Sequence, residues 1–282
     1  MTVNITLDMV KELRERTGVG MAKCKEALVV GEGDMQKAID HLRKTGISSA
    51  VKKAAREAKE GYIGVCESKD AVALVEMNAE TDFVAGNEKF KEFLQNMANQ
   101  AALSKPSSLD VFLEEIYAKD NSLTVDHYRN LLTQRFGENI VIKQVEVISK
   151  PANASFGVYS HMGGKLVTVV QIDGAKGEEQ FAKDLAMHVA AADPEYLSVA
   201  EIPAEIIQRE KEIAAGQIKG KPENIINKIV EGKLQAFYDE ACFLDQKFIK
   251  DTSVSVSQYV EAYGKKIGKQ LAIVRFWRWK IG

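Results

Sequence analysis

Cysteine is scarce in this sequence. The three cysteines, Cys24, Cys66 and Cys242, lie far apart among 282 residues and form no C-x-x-C pair. Closely spaced cysteines are what a structural zinc site or a redox disulfide requires. Their spacing therefore argues against both kinds of site and favours a reducing compartment, the cytoplasm.

An excess of either charge is also absent. The 38 lysines and arginines nearly balance 40 aspartates and glutamates, which leaves a net charge of −2. A chain this close to neutral has no overall electrostatic attraction to nucleic acid or to a membrane surface, although a local basic patch remains compatible with the composition. We therefore expect a protein or small-molecule partner, without direct binding to nucleic acid or membrane.

Long apolar runs are missing as well. A membrane-spanning helix needs about 18 or more consecutive apolar residues, and no such stretch occurs. The N-terminus reaches Asp8, Lys11 and Glu12 before the apolar run of a signal peptide forms. The sequence thus predicts a protein that is neither secreted nor membrane-spanning.

The composition that is present, 45% hydrophobic and 28% charged, is that of an ordinary globular protein. With 282 residues, the chain exceeds the usual single-domain size of roughly 100 to 150 residues. We therefore expect two or three packed units.

Residues 1–46 have the pattern of three short helices. Thr6 and Asp34 are placed to cap the first and third helices, and Gly46 is placed to end the third. A unit this small predicts a docking module that exposes much of its surface. The expected core positions recur at helical spacing: Leu7, Val10 and Leu13; Met21, Cys24, Ala27 and Leu28; Met35, Ala38, Ile39 and Leu42.

Residues 47–60 are alanine-rich and basic, with Lys52, Lys53, Arg56 and Lys59. One interpretation is a solvated connector, helical or flexible, because short basic runs are common on exposed helices. The other is a patch for RNA phosphates, although no aromatic residue is interleaved with the charges.

The rest of the chain contains an internal duplication. Two hairpin patterns, residues 62–78 and 156–173, are each followed by a helical pattern in which Phe90 and Leu94 match Phe181 and Leu185, an offset of 91 residues (181 − 90). Further on, residues 124–142 match residues 255–273 at an offset of 131 (268 − 137). The matched residues there are Val125 and Val256, Tyr128 and Tyr259, and Gly137 and Gly268.

Each copy closes with a strand rich in β-branched and aromatic residues. We therefore predict an α+β fold with two lobes, residues 61–149 and 150–282, each a three-stranded antiparallel sheet with helices. The growing offset places about 40 extra residues in the second lobe. Residues 205–250 hold this insert, predicted as two antiparallel helices interrupted by the "GKP" at 220–222, or more simply as a solvated decoration.

The stretch "NAETDFVAGN", residues 78–87, follows a predicted strand of the first lobe only. Aligning Asn78 with Asp173 shows four more residues between strand and helix in the first copy than in the second. One interpretation is local: Phe83 and Val84 staple the next helix and Asp82 caps it. The other is that Asp82 and Phe83 contact a partner, because a side chain demanded by the fold should occur in both copies.

No catalytic constellation stands out. The four histidines, His41, His127, His161 and His188, lack metal-ligand spacing, and His188 has the apolar neighbours of a core residue. The "HMGGKL" segment lacks the spacing of a phosphate loop and fits a hairpin turn.

An alternative magnesium or acid–base site would use Glu76, Glu80 and Asp82. We predict no catalytic residue, no metal and no cofactor.

Four segments together resemble the bacterial elongation factor Ts family over almost the whole chain. They are "VKELRERTGVGMAKCKEAL", "NAETDFVAGNEKF", "GENI" and "AMHVAAADPEYL". The resemblance implies a non-catalytic guanine-nucleotide exchange factor that binds elongation factor Tu with GDP and promotes GDP release in translation elongation. It also implies that the N-terminal module is a ubiquitin-associated-like bundle.

The resemblance also assigns roles to residues. Phe83, next to Val84, would insert between helices of the partner's nucleotide-binding domain, while Asp82 and the Thr81 backbone press toward its Mg²⁺ and phosphate region. It places further partner contacts at five other residues: Arg14, Met21, His161, Met162 and Gly163. Three positions depart from the family pattern, where a bulkier apolar residue, a cysteine and a basic residue are frequent: Ala22, Ala79 and Gly86.

Two rival interpretations stay open at this point. The first is an adaptor or RNA-associated scaffold that uses the small bundle and the basic connector. The second is a metal-dependent enzyme built on Glu80 and Asp82. Self-association is compatible with the sequence but is not predicted.

Overall fold

The structure, a computed structural model, describes residues 4–17, 19–217 and 223–282. It divides into two compact units: Met1–Lys150 with Met162–Lys165 and Lys280–Gly282, and Pro151–His161 with Leu166–Trp279. Helices combined with small sheets confirm the predicted α+β class. Within the described ranges, every helix is too short or too polar to cross a membrane.

The first unit combines helices with two sheets, a three-stranded sheet in the order β1-β2-β5 and the pair β3-β4. Strand β2 is central and buried along its whole length. The elements are α1 (Leu7–Thr17), α2 (Met21–Val30), α3 (Met35–Lys53), β1 (Glu60–Glu67), β2 (Ala71–Ala79), α4 (Asp82–Ala85), α5 (Glu88–Ser104), α6 (Leu109–Glu114), β3 (Ile116–Tyr117), β4 (Asp120–Thr124), α7 (Val125–Phe136) and β5 (Val141–Ser149).

The second unit has the same kinds of element. Its three-stranded sheet has the order β10-β7-β6, and β8 pairs with β9. The elements are β6 (Ala154–His161), β7 (Leu166–Asp173), α8 (Glu179–Ala192), a 3₁₀ turn (Val199–Glu201), α9 (Ala204–Gly216), α10 (Glu223–Ala241), β8 (Lys247–Phe248), β9 (Asp251–Ser255), α11 (Val256–Ile267) and β10 (Ala272–Lys280).

The N-terminal helices begin where the sequence predicts. Thr6 Oγ1 accepts a hydrogen bond from the Met9 amide at 3.3 Å, and Asp34 Oδ1 accepts one from the Lys37 amide at 2.8 Å. The prediction that Leu7 belongs to the core is wrong, because its side chain is 61% exposed. Leu7 is the first residue of α1, one turn before the buried stripe, which consists of Val10, Leu13 and Thr17.

Helix α3 does not end at Gly46, as predicted, but continues to Lys53. A glycine inside a helix costs about 1 kcal/mol relative to alanine. Packing of α3 against α7 offsets this cost: Arg43 Nη2 lies 3.1 Å from His127 Nδ1, and Lys53 Nζ donates to the Thr133 carbonyl at 3.5 Å. The start of the predicted connector is therefore helical. The division of this unit into a module, a connector and a lobe stays a prediction.

The duplication extends to short hairpins that the sequence analysis missed. In the first unit Ile116 pairs with Thr124 and Tyr117 with Asp120. In the second unit the pairs are Lys247 with Ser255 and Phe248 with Asp251, each at the same offset of 131 residues (247 − 116). Strands of two residues are too short to show a period, but extending the sequence match upstream by eight residues would have found them.

Two glycines occupy equivalent places in the two hairpins. Gly64 lies opposite Val75 on β2, and Gly157 lies opposite Val170 on β7. A Cβ atom added at Gly157 would lie 2.0 Å from the Ala182 carbonyl carbon and oxygen, inside any allowed contact. Glycine at this position therefore lets the backbone of α8 lie directly on the sheet.

His188 is a buried structural residue, as predicted. The Ile249 amide donates to its Nδ1 at 3.2 Å, so the ring proton is on Nε2, which donates to Gln246 Oε1 at 2.9 Å. The Gln246 amide group in turn donates to two backbone carbonyls near the ends of α8 and α10. Burial of the ring lowers the pKa of His188, and the hydrogen bond with Gln246 opposes this shift without reversing it.

The predicted insert forms two helices, α9 and α10, that pack against each other. Among their described residues, Ala214 of α9 and Leu234 and Ala241 of α10 are buried apolar residues. The predicted "GKP" break at 220–222 lies outside the described residues. After α10 the chain enters β8, so the helical part of the insert is shorter than the predicted span of 205–250.

Replacing Gly157 by alanine should lower the free energy of unfolding by about 3 kcal/mol, because backbone atoms of α8 cannot move aside. The matched Gly64→Ala should cost less, about 1 kcal/mol, since the nearest atoms, in the Leu94 side chain and at its carbonyl oxygen, lie 2.9–3.0 Å away instead of 2.0 Å. Urea denaturation of both variants measures the difference. An equal or smaller effect at Gly157 would contradict this account of the close approach.

Stability should also depend on His188 below neutral pH. Its folded pKa is lowered, whereas the unfolded pKa is about 6.5. Its contribution is therefore complete above about pH 6.5 and is lost as the pH falls through the folded pKa. Between pH 7.5 and 5 the urea midpoint of the unmodified chain should fall more than that of His188→Gln. Parallel curves would show that His188 does not titrate with unfolding.

Candidate functional site

The candidate site is the short helix α4, which follows the buried strand β2. Thr81 has an extended backbone, and its Oγ1 accepts a hydrogen bond from the Val84 amide at 3.4 Å, so Thr81 caps the helix. Ala85 is buried and Val84 packs against the core of this unit. The Gly86 amide closes the turn on the Asp82 carbonyl at 2.7 Å. One face of α4 is therefore fixed to the sheet.

The opposite face of α4 presents Asp82 and Phe83 to solvent. Phe83 is 87% exposed, the highest fraction among the large apolar side chains of the described residues. The local interpretation is therefore wrong for both residues: Phe83 does not staple the next helix, and Asn87 caps α5 instead of Asp82, accepting from the Lys89 amide at 2.9 Å. A phenylalanine left in water loses the stabilising free energy of about 1.5–3 kcal/mol that burying its side chain would provide.

Two carboxylates hold the start of α4 in place. Glu138, just after α7, accepts from the Thr81 amide at 3.0 Å through Oε2 and from the Thr81 hydroxyl at 2.7 Å through Oε1. Glu80 Oε1 accepts in return from the Asn139 amide at 2.6 Å. We call Glu80, Thr81, Glu138 and Asn139 the carboxylate clamp.

The alternative metal or acid–base site is not assembled. Glu76 is 1% exposed, and its two oxygens accept from Lys143 Nζ at 2.9 Å and Gln144 Nε2 at 2.7 Å. Both donors reach it because β5 is irregular beside Glu76. Glu80 is engaged in the clamp, while Asp82 points to solvent. Across residues 4–17, 19–217 and 223–282, no three or more histidines, cysteines, aspartates or glutamates form a metal-binding group.

The predicted N-terminal contact residues lie on two helices of the first unit. Arg14 is exposed on α1. Met21 is half-buried at the first position of α2, where it packs on the helical core and lines a cavity of about 370 Å³ together with Leu7 and Ala22. Exposed Leu7 and Ala22 thus add to the apolar surface around Met21.

The third predicted group lies at the turn between β6 and β7. Met162 is 72% exposed and has a φ of 49°, and Gly163 follows with a φ of 67°. His161 ends β6, where its Nδ1 lies 3.1 Å from the Tyr159 hydroxyl. The left-handed backbone at Met162 is uncommon for a side chain of this size, and it projects the thioether into solvent. The predicted residues thus lie on three sets of elements: helix α4, helices α1 and α2, and the turn between β6 and β7.

Sequence reasoning missed the roles of Glu138 and Asn139. Both belong to the "GENI" segment, which the sequence analysis used only as a point of resemblance. A signal existed, because the duplicated segment has Lys269 and Gln270 at the equivalent positions, 131 residues later (269 − 138). The change from Glu138 to Lys269 reverses the charge at one position of otherwise matching segments. Such a reversal indicates that the residue has a different partner in each copy.

Comparison with known proteins gives consistent matches. A family model described as "Elongation factor TS" matches residues 80–282. The chain is 56% identical over 278 residues to Elongation factor Ts of Protochlamydia amoebophila (strain UWE25), with 99% of each chain covered. It is 43% identical over 279 residues to Elongation factor Ts of Chlamydia pneumoniae, again with 99% of each covered. The similarity therefore includes the N-terminal helices that the family model leaves out.

The exposure of Phe83 predicts that its removal hardly affects stability. Phe83→Ala should change the free energy of unfolding by less than about 0.5 kcal/mol. The matched variant Phe90→Ala, in the buried core only seven residues later, should cost about 3–5 kcal/mol. Urea denaturation separates the two cases. A large loss for Phe83→Ala would show that the ring packs against the fold.

Proposed function

We propose, because this chain belongs to the elongation factor Ts family, that it is a guanine-nucleotide exchange factor in translation elongation. It binds elongation factor Tu carrying GDP and promotes GDP release, as a cytoplasmic protein of protein biosynthesis. The factor acts by contact and carries out no covalent chemistry of its own. The observation that supports this proposal most directly is Phe83, 87% exposed on a helix whose other face is fixed.

The chemistry of nucleotide binding explains what such a factor must do. A GTPase holds the phosphates of GDP through backbone amides at a loop and helix N-terminus, and through a Mg²⁺ ion coordinated by oxygens. Release requires that these ligands be displaced while the emptied site is stabilised. An apolar wedge beside a carboxylate suits both requirements.

Within this proposal each residue of α4 has a role. Phe83 inserts between helices of the partner's nucleotide-binding domain, and burying its ring there recovers about 1.5–3 kcal/mol. Asp82, adjacent and exposed, presses toward the Mg²⁺ and phosphate region together with the Thr81 backbone. Val84 anchors the wedge to its own core.

The wedge alone is too small for the whole effect. Coupling is reciprocal, so a factor that weakens GDP binding itself binds the GDP-loaded partner less tightly. A 10⁴-fold effect requires about 5.5 kcal/mol of differential contact, more than one ring supplies. We assign the remainder to wider contacts at five residues already described: Arg14, Met21, His161, Met162 and Gly163.

The domain organisation belongs to the same proposal. Residues 1–46 form a ubiquitin-associated-like docking module that contacts the nucleotide-binding domain, followed by the connector 47–60. The lobes 61–149 and 150–282 contact different domains of the partner. The apolar residue Met21, half-buried beside a cavity, supports the first contact, and the exposed Met162 supports the second.

Exchange should depend on Phe83 but not on an equally exposed apolar residue elsewhere. Elongation factor Tu is loaded with a fluorescent GDP, and release is followed after the unmodified chain, Phe83→Ala or the control Leu103→Ala is added. Leu103 is 82% exposed at the end of α5. We expect Phe83→Ala to slow release by about tenfold, because a buried ring is worth about 1.5 kcal/mol or more, and Leu103→Ala to match the unmodified chain.

Two results would contradict the proposal. If the unmodified chain did not accelerate release, the exchange function would be wrong. If Phe83→Ala released nucleotide as fast as the unmodified chain, the wedge would be wrong while the function stood. Salt-sensitive RNA binding that depends on Lys52 and Lys53 would instead favour the adaptor interpretation.

A further inference from the structure

We infer that the carboxylate clamp positions Phe83 and Asp82 for exchange, with Glu138 as its principal positioning residue. This inference rests on the proposed function and extends it to Glu80, Glu138 and Asn139, to which that function assigns no contact with the nucleotide site. A four-residue helix has no intrinsic stability in water. Something outside α4 must therefore keep its exposed face oriented.

Glu138 supplies the first restraint. Both of its oxygens are used on one residue: the Thr81 amide donates at 3.0 Å and the Thr81 hydroxyl donates at 2.7 Å. Hydrogen bonds to a carboxylate are stronger than those between neutral groups. The bond from the Thr81 amide fixes the position of its backbone. The bond from the Thr81 hydroxyl fixes the side-chain rotamer with which Thr81 caps α4.

Glu80 supplies the second restraint in the opposite direction. Its Oε1 accepts from the Asn139 amide at 2.6 Å, and Arg56 Nη1 lies 3.5 Å from the same oxygen. The Asn139 side chain then donates to the Arg56 carbonyl at 2.8 Å. Each segment therefore presents a carboxylate to the backbone amide of the other, and Arg56, in the turn after α3, is connected to both. A shift of α4 would break several bonds together.

The second unit shows what the clamp adds. Lys269 stands in the position of Glu138 and donates to the Lys176 carbonyl at 2.8 Å and to Glu178 at 3.2 Å, in the loop between β7 and α8. In both copies, the residue after the glycine that ends the helix thus contacts the loop that follows the hairpin. Glu138 contacts Thr81 in the first copy, and Lys269 contacts Lys176 in the second. Only the first copy directs it to the N-cap of an additional helix that bears an exposed aromatic ring.

Loss of the clamp should reduce the fraction of molecules in which Phe83 is oriented for insertion. Apparent affinity falls in proportion to that fraction, whereas the bound complex, once formed, has the same contacts. Glu138→Ala should therefore raise the concentration of factor that gives half-maximal nucleotide release. The maximal rate at saturating factor should change little, unlike the effect of removing Phe83 itself.

The clamp is tested first in the free protein, by hydrogen exchange. In Glu138→Ala the amides of residues 80–86 should exchange at least fivefold faster, with β6 and β7 unchanged and the thermal unfolding midpoint close to that of the unmodified chain. Glu138→Gln, which keeps one acceptor oxygen, should lie between the two. The matched variant Lys269→Ala should affect the loop 174–178 and leave residues 80–86 unaltered. Unchanged exchange of residues 80–86 in Glu138→Ala would overturn the inference.

The second test uses the release of fluorescent GDP from elongation factor Tu. We expect Glu138→Ala to raise the half-maximal concentration about five- to tenfold, with a maximal rate within twofold, and Lys269→Ala to have no effect. On a Phe83→Ala background, Glu138→Ala should add less than twofold, since residues that act through one another are not additive. The positioning role would be overturned if the effects of Glu138→Ala and Phe83→Ala multiplied in the double variant. It would also be overturned if Glu138→Ala lowered the maximal rate and left the half-maximal concentration unaltered.

The two tests separate failure of this inference from failure of the proposed function. If the unmodified chain did not accelerate nucleotide release, the function would fall, and the positioning role with it, even where hydrogen exchange showed that the clamp orders α4. If the unmodified chain accelerated release and Glu138→Ala behaved identically in both assays, the function would stand and the positioning role would be wrong.

Discussion

The arrangement at the end of β2 depends on one interaction, the two hydrogen bonds from Thr81 to the Glu138 carboxylate. A buried strand delivers the chain to the surface, where a short helix has too few internal bonds to hold a shape. The carboxylate satisfies the Thr81 amide and orients the hydroxyl that caps the helix. The burial of Ala85 then leaves Asp82 and Phe83 on the side that faces solvent.

The duplicated architecture separates what the fold needs from what this site needs. Both copies use a glycine with positive φ to end the helix before the closing strand, Gly137 after α7 and Gly268 after α11. Both also connect the next residue to the strand-to-helix loop. The copies differ in the charge of that residue and in the length of the loop. The candidate site is therefore built on a structural connection that exists in both units, which explains how a short insertion acquires a defined orientation.

Local patterns predicted much of this fold, and the misses have physical reasons. The duplication predicted two similar sets of elements, and each unit contains a three-stranded sheet with helices. The extra residues after Asn78, present in one copy only, predicted the candidate site, which stays a prediction. Gly46 was misjudged because packing of α3 on α7 outweighs a glycine's helix cost. The contact of Thr81 with Glu138 spans 57 residues along the chain. No period or spacing encodes such a pairing, since it exists only after the strand and helix have packed.

An exposed phenylalanine contributes efficiently to binding only when the segment that carries it is already ordered. A mobile loop bearing an aromatic ring would lose conformational entropy on binding, and each ordered backbone residue costs about 1–2 kcal/mol, comparable with the gain from burying the ring. A loop ordered in advance avoids that cost, so most of the ring's burial appears as binding energy. In the proposed exchange function the clamp and Phe83 therefore act together: the clamp orients α4, and the ring is the apolar surface that α4 presents to solvent.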